Sequence, residues 1–289
     1  MPSVDHSELK EFDLRSVRLD ELTWPEIREA AGRDVPVIVP VGSTEQHGYH
    51  LPLCTDVVLP ESLGREAARM LGLLVAPPIA YGYRSRPLSG GGEGFPGTIS
   101  LSGRTLIALV EDVLAALAQS GFRRLVVLNW HFENSNFVYE AAWCANERLA
   151  AQGLRIMVVE AAFSELSEPV MQTLFGDEFP GWDVEHAAVL ETSLMQHLRP
   201  DLVLIDRAVD DEARRHPPYD VVPPPAEFIP ESGTLWKATR ASAEKGAIAW
   251  EEIVSRVAAA ISAEFELVSP GAPFQPRAAS PAGEAVAAR

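Results

Sequence analysis

Short runs of β-branched and other apolar residues alternate along the chain with longer stretches whose apolar positions recur at helical spacing. "VPVIVPVG" (Val35 to Gly42) reads as a buried strand, and a helix follows near "LPESLGREAARMLG". "LLVAPPIAYG" (Leu73 to Gly82) reads as a second strand, tailing into the glycine-rich loop "SGGGEGFPGT". "SGRTLIALVEDVLAALAQSG" is amphipathic, with Ser102 placed to cap it and Gly121 to stop it. The strand "RRLVVL", the helix "NFVYEAAWCANERLAAQG" and the strand "RIMVVEAA" come next. A helix is expected over "VEHAAVLETSLMQHL", and a long amphipathic one over "ASAEKGAIAWEEIVSRVAAAISAEFEL". Strand–helix alternation of this kind predicts a single α/β domain, residues 1–268, with a mostly parallel central sheet flanked by helices. The Pro-rich "HPPYDVVPPPAEFIP" is expected to be an ordered extended loop. Residues 269–289, rich in Pro, Ala and Gly, are expected to form a flexible tail.

Composition narrows the partners. The 289 residues are 47% hydrophobic and 22% charged, with a net charge of −17. Nucleic acid and anionic membrane surfaces both reward clustered Lys and Arg, so neither is expected as a partner. No apolar run approaches the roughly 20 residues that span a bilayer. The polar, acidic N-terminus does not read as a signal peptide. Two cysteines, Cys54 and Cys144, make no disulfide framework, and a reducing cytoplasm is the natural expectation.

Ligands of open parallel sheets bind outside the carboxyl ends of the strands. Two polar clusters fall there. "GSTEQHGYHLPLCTD" follows the first strand and carries Glu45, His47, His50 and Asp56; "NWHFENSNF" follows "RRLVVL" and carries His131 and Glu133. Each holds a carboxylate and an imidazole at i and i+2, which share one side of an extended backbone. A single such pair usually decorates a solvated turn. Two of them, with Asp56 able to offer one oxygen to each of two cations, make a candidate metal centre. Nitrogen and oxygen donors without thiolate suit zinc or manganese. Cys54 has no second thiol nearby and reads as a small buried residue. His50 is a candidate for orienting a ligand; His6, His197 and His216 have no such context.

"GSTEQHGYHLPLCTD", "GGGEGFPGTISL", "NWHFENSNF" and "GWDVEHAAVLETSLM" resemble, in order, the four signature blocks of the creatininase (creatinine amidohydrolase) family, over roughly residues 35–205. "HFENS" is similar to the creatininase branch rather than to members with His-Gly-Gly-Asn there. The resemblance implies a single α/β domain, a binuclear metal site and assembly as a homo-oligomer, a hexamer made from dimers. It implies that Glu45, Asp56 and His131 hold one cation, and that His47, Asp56 and Glu133 hold the other. It also implies that His186 is catalytic, with Glu133 a second catalytic group. Trp182 and Asp183 would line the substrate pocket, and Glu191 would be an acid behind the site.

Three departures bear on substrate. No tryptophan stands in "VVEAAFSELSEP", where creatininase carries one on a flap, and Phe163 is the nearest aromatic. Phe132 replaces a tyrosine of the pattern, and Trp130 replaces a glycine. The chemistry expected is therefore hydrolysis of a small cyclic amide, with creatinine the first candidate. A linear amide, such as a formamide or peptide, and a non-catalytic small-molecule binder are the rivals.

Overall fold

The computed structural model describes residues 15–86, 89–90, 92–161, 166–211 and 219–267. Its centre is a four-stranded, all-parallel sheet in the order β2-β1-β3-β4. The strands are β1 (Val37–Val41), β2 (Leu74–Val75), β3 (Arg124–Asn129) and β4 (Arg155–Glu160). Helices α1 (Trp24–Gly32), α2 (Thr55–Leu71), α3 (Gly103–Gln119), α4 (Ser135–Arg148), α5 (Glu168–Phe175), α6 (Val189–Leu198) and α7 (Ala243–Glu264) surround it.

The period of two explains why β1 and β3 read as unbroken apolar runs. Val37, Val39, Val41, Leu125 and Val127 point to one face and join Leu106, Val110 and Leu114 of α3 and Val138 and Ala141 of α4. Ile38, Val126 and Leu128 point to the other and join Leu59 and Leu63 of α2, Leu194 of α6 and Ile253 of α7. A parallel sheet covered on both faces has no polar side to show. Truncating one such residue, Leu125→Ala for example, costs about 2–5 kcal/mol.

Local signals set the helix ends. The Ser102 hydroxyl accepts the Thr105 N–H at 3.3 Å, and Ser242 accepts that of Lys245 at 3.2 Å. Gly72, at φ 69°, ends α2 in the left-handed conformation.

Four expectations change. The segment "LLVAPPIAYG" contributes a strand of only two residues, because Pro77 and Pro78 cannot donate to a ladder. Helices α1 and α5, not anticipated from the pattern, both begin with Pro in the first turn. Helix α2 begins at Thr55, so Asp56 sits in its first turn rather than in a loop. Helix α6 begins at Val189, which leaves His186 on the segment before it, where Ala187 adopts φ 51°. Residues 219–230 of the Pro-rich segment hold one 3-10 turn, Ala226–Phe228. The proposed tail, Phe163, His6 and His216 lie outside the described residues.

The chain leaves β1 for β2 on one side and returns to β3 on the other. The order therefore reverses between β1 and β3, and the carboxyl ends of these two strands flank the crevice where α/β sheets bind ligands. Val41 and Asn129 pair in register at that end.

Candidate active site

The segments leaving β1 and β3 are drawn together by backbone contacts that leave no room for side chains. A Cβ on Gly42 would lie 2.0 Å from the Asp56 carbonyl oxygen, so only glycine lets the start of α2 close on the end of β1. That carbonyl lacks its usual i+4 helical donor because Pro60, four residues on, has no N–H. Asn134, fully buried, ties the other side. Its amide donates to Gly42 O at 3.0 Å and to Asn129 Oδ1 at 3.2 Å, while its Oδ1 accepts the Tyr83 N–H at 2.7 Å. Asn129 in turn donates to the His131 carbonyl at 2.8 Å and to Glu160 Oε2 at 2.7 Å.

Glu45, His47, Asp56 and His131 converge in this frame, all buried. Asp56 stands between the two histidines. Its Oδ2 lies 3.0 Å from His131 Nδ1, and its Oδ1 lies 3.1 Å from His47 Nε2. Glu45 Oε2 pairs electrostatically with the same His131 nitrogen at 3.2 Å and makes no hydrogen bond among the described residues. Its other oxygen accepts from the Ser85 hydroxyl. The remaining nitrogens of both rings face main-chain carbonyls: His131 Nε2 faces Tyr83 O at 2.8 Å, and His47 Nδ1 faces Glu45 O at 3.1 Å. Histidines that ligate metal are held this way, one N–H spent on the protein and the other nitrogen turned inward.

Two groups of donors have their ligand atoms mutually within 4.8 Å: Glu45, Asp56 and His131; and His47, His186 and Glu191. The first is the set expected for one cation. The second places Glu191, not Glu133, beside His47, with Glu191 Oε2 3.6 Å from His47 Nε2. Glu133 stands instead on the Nε2 side of His131, at 3.5 Å, and accepts from the Ser89 hydroxyl and, at 3.4 Å, from Arg86 N–H. The donor chemistry suits a divalent cation, and the orphaned Glu45 Oε2 is a buried acceptor that such an ion would satisfy.

The charge balance points the same way. Burial works against a charged His47, but Asp56, Glu191 and Glu45 outweigh it and raise its pKa to about 10. Burial likewise opposes charge on His131, and Glu45 and Asp56 carry it well above the ordinary value. Burial, then the neighbouring Glu191, pushes Glu185 to about 8; burial, opposed by His47, leaves Glu191 at about 7. Glu133 is also raised, first by burial. More carboxylates are buried here than the imidazoles can neutralise, and bound cations would supply the missing positive charge.

A cleft opens over this floor, with Trp130 and Trp182 among its walls. The Trp182 ring packs edge-on against Phe179 at 4.8 Å and Phe175 at 6.1 Å. Asp183 is exposed at the rim, and Phe132 is 46% exposed there. Trp130 is buried and donates its Nε1–H to Glu191 Oε1 at 3.2 Å, so its indole braces that acid as well as adding bulk. Glu191 Oε2 accepts the Ala187 N–H at 2.8 Å. The ring of His186 stacks at 4.4 Å on that of His47, and burial, then the His47 charge, lowers its pKa to about 4.

Outside the centre, His50 bonds Thr192 Oγ1 at 2.8 Å; His197 is exposed, and Cys54 is a half-buried free thiol just before α2. Sequence reasoning passed over Gln46, Ser85, Ser89 and Glu185. Gln46 and Glu185 sit directly beside ligand or catalytic candidates, a signal that was present. The two serines reach the acids only through the fold of the glycine-rich segment.

The creatininase (creatinine amidohydrolase) family profile matches residues 20–261. This chain belongs to the creatininase family. It is 45% identical over 256 residues to creatinine amidohydrolase of Pseudomonas putida, an alignment covering 87% of this chain and 98% of that protein. It is 32% identical over 236 residues to the mycofactocin precursor peptide peptidase of Mycolicibacterium smegmatis, covering 76% and 81%. Among solved structures, a mutant creatininase complexed with creatine superposes with a TM-score of 0.84 at 43% identity, covering 86% of this chain and 99% of that one. A Zn-Zn form and an Mn form of creatininase superpose at 0.84 and 0.83, each 43% identical, covering 86% of this chain and 98% and 99% of theirs. These relatives and the donor groups of the cleft support divalent-metal binding by this family member.

Proposed function

We propose that this creatininase-family protein is a binuclear-metal amidohydrolase that opens creatinine, or a close cyclic analogue, to the linear acid. The observation that carries the reading is Asp56, which turns one oxygen to His131 and the other to His47 between two donor groups. The 45% identity to a creatinine amidohydrolase supports the substrate class. Glu45, Asp56 and His131 would hold one cation; His47, Asp56 and Glu133 would hold the second, with Glu191 the acid nearer His47 here. Zinc or manganese bound there would polarise the amide carbonyl and lower the pKa of water.

The chain's own residues do the rest. Trp182 offers a flat wall for a planar ring, its indole fixed by Phe175 and Phe179. Glu133, held by Ser89 and Arg86, can take the proton of the attacking water. Ring opening breaks the C–N bond, and the nitrogen needs a proton because an amide anion is too basic to leave. His186, which lines the cleft beside His47, can deliver it. The free thiols Cys54 and Cys144 suit a reducing cytoplasm. Trp24, Tyr139 and Trp143, all more than half exposed, give apolar area for a homo-oligomer.

Elemental analysis followed by a creatinine-to-creatine assay on the same sample tests the proposal. About two divalent ions per chain, with turnover lost on chelation and restored by zinc or manganese, is expected. Full activity without metal would sink it. A linear amide is the second reading, favoured by the peptidase relative and by Phe132 at the rim. It stands if a metal-loaded sample cleaves formamides or peptides and leaves creatinine intact.

A further inference from the structure

All three imidazoles of the centre turn one nitrogen to a main-chain carbonyl: His131 to Tyr83, His47 to Glu45, and His186, through Nε2, to Gln46 O at 2.9 Å. At His186 that nitrogen has a second close neighbour, the Gln46 carboxamide nitrogen, also at 2.9 Å. A donor count decides which way the proton lies. The carboxamide has two hydrogens. Gly90 O accepts one and Gly233 O, at 3.0 Å, accepts the other. Neither is left for His186, so its Nε2 must itself be the donor, to Gln46 O. Nδ1 makes no hydrogen bond with the described residues.

The grip is rigid. Gln46 is buried, and its Oε1 accepts the Gly48 N–H at 2.9 Å. Its partners can approach only because they lack side chains: a Cβ on Gly233 would lie 1.8 Å from Gln46 Oε1, and one on Gly90 3.3 Å from the His186 ring. Both glycines also have positive φ, 75° and 144°.

We infer that Gln46 is the positioning residue of His186: its main-chain carbonyl accepts the Nε2 proton, its carboxamide pins Gly233 and the Gly90 main chain that lies against the ring, and Nδ1 is left to exchange the proton with substrate. The inference rests on the reading of His186 as proton donor to the leaving nitrogen. In that step the proton that Glu133 takes from the attacking water reaches the bare Nδ1, and Nδ1–H passes it to the leaving nitrogen as the C–N bond breaks. The bond's electron pair stays on that nitrogen, and Nδ1 returns to its bare state.

Neutron diffraction from deuterium-exchanged crystals of the zinc-loaded protein at pH 8 reads the proton directly. Deuterium on Nε2 with a bare Nδ1 is expected; deuterium on Nδ1 with a bare Nε2 overturns the inference. Kinetics give the second arm. Gln46→Ala should lower kcat by about 100-fold with KM and zinc content unchanged, the size of effect that misplacing a catalytic group brings. In a His186→Ala background the same substitution should cost nothing more, because the two residues act as a unit. An equal loss in both backgrounds would make Gln46 merely structural. If the wild type fails to turn over creatinine, the substrate reading falls, while the deuterium position still decides the role of Gln46.

Discussion

The floor of the cleft and its rim are built differently. On the floor, Glu45, His47, Asp56 and His131 are buried, and each imidazole is pinned by a main-chain carbonyl. At the rim, Phe132 and Asp183 stand in solvent and Trp182 is only half-buried. A buried donor set is costly to alter, since every change strands a neighbouring polar group. A rim side chain can be exchanged with little effect on folding. The two departures that fall on residues lining the cleft divide along this boundary. Phe132 alters the rim, whereas Trp130 is absorbed into the floor by donating to Glu191. On the proposed reading, chemistry belongs to the floor and substrate choice to the rim.

The largest expected effect comes from breaking the floor at its middle. Asp56→Ala removes the group that faces both histidines, so metal content and turnover should both fall to background. That loss exceeds the roughly 100-fold cost of losing an outer partner of a metal ligand. An Asp56→Ala protein that keeps its metal would show that the floor is not organised around this residue.

The next test sharpens where the floor ends. Glu133→Gln is expected to remove one of two bound ions, whereas Glu191→Gln should keep both and weaken affinity by about 10-fold. Elemental analysis of the purified variants decides it. The reverse result would assign the His47 group to Glu191, as the 3.6 Å approach in this structure suggests.

Restoring a hydroxyl at the rim should act more gently. Phe132→Tyr should shift the ratio of kcat/KM between creatinine and a linear amide by about 10-fold, with metal content unchanged. A change in metal content instead would place Phe132 with the floor.

The smallest effect lies on α1, away from both regions. The Glu26 carboxylate accepts from the Thr23 N–H and hydroxyl, each at 2.6 Å, and these bonds lower its pKa to about 2. A depressed pKa contributes stability that is present above the unfolded value and lost as pH falls through the folded one. The Tm difference between wild type and Glu26→Gln should therefore hold near pH 7 and vanish as pH drops from about 4.5 toward 2. Activity should not follow it.

Much of this was legible in the chain. The runs at β1 and β3 are continuous because both faces of a parallel sheet are covered, and period and length suffice to find such strands. Asp56 and the two carboxylate–imidazole pairs were legible because each follows a strand whose end must face a crevice. Residues 24–32 and 168–175 were not read as helices, since short amphipathic segments with Pro in the first turn look like loops. Local pattern also could not say that α6 waits until Val189, because the strained turn at Ala187 is set by Glu191 accepting its N–H.

What the sequence determined by itself is the α/β class, the donor types and their delivery by strand ends, because periodicity and side-chain chemistry are local properties. What only the tertiary structure decided is which donors meet: Glu191 rather than Glu133 beside His47, Ser85 and Ser89 on the acids, and Gln46 on His186. Those contacts join residues as many as 187 positions apart, as between Gln46 and Gly233, and no local rule carries that distance. They depend on the order in which four strands assemble and on glycines that let their loops touch.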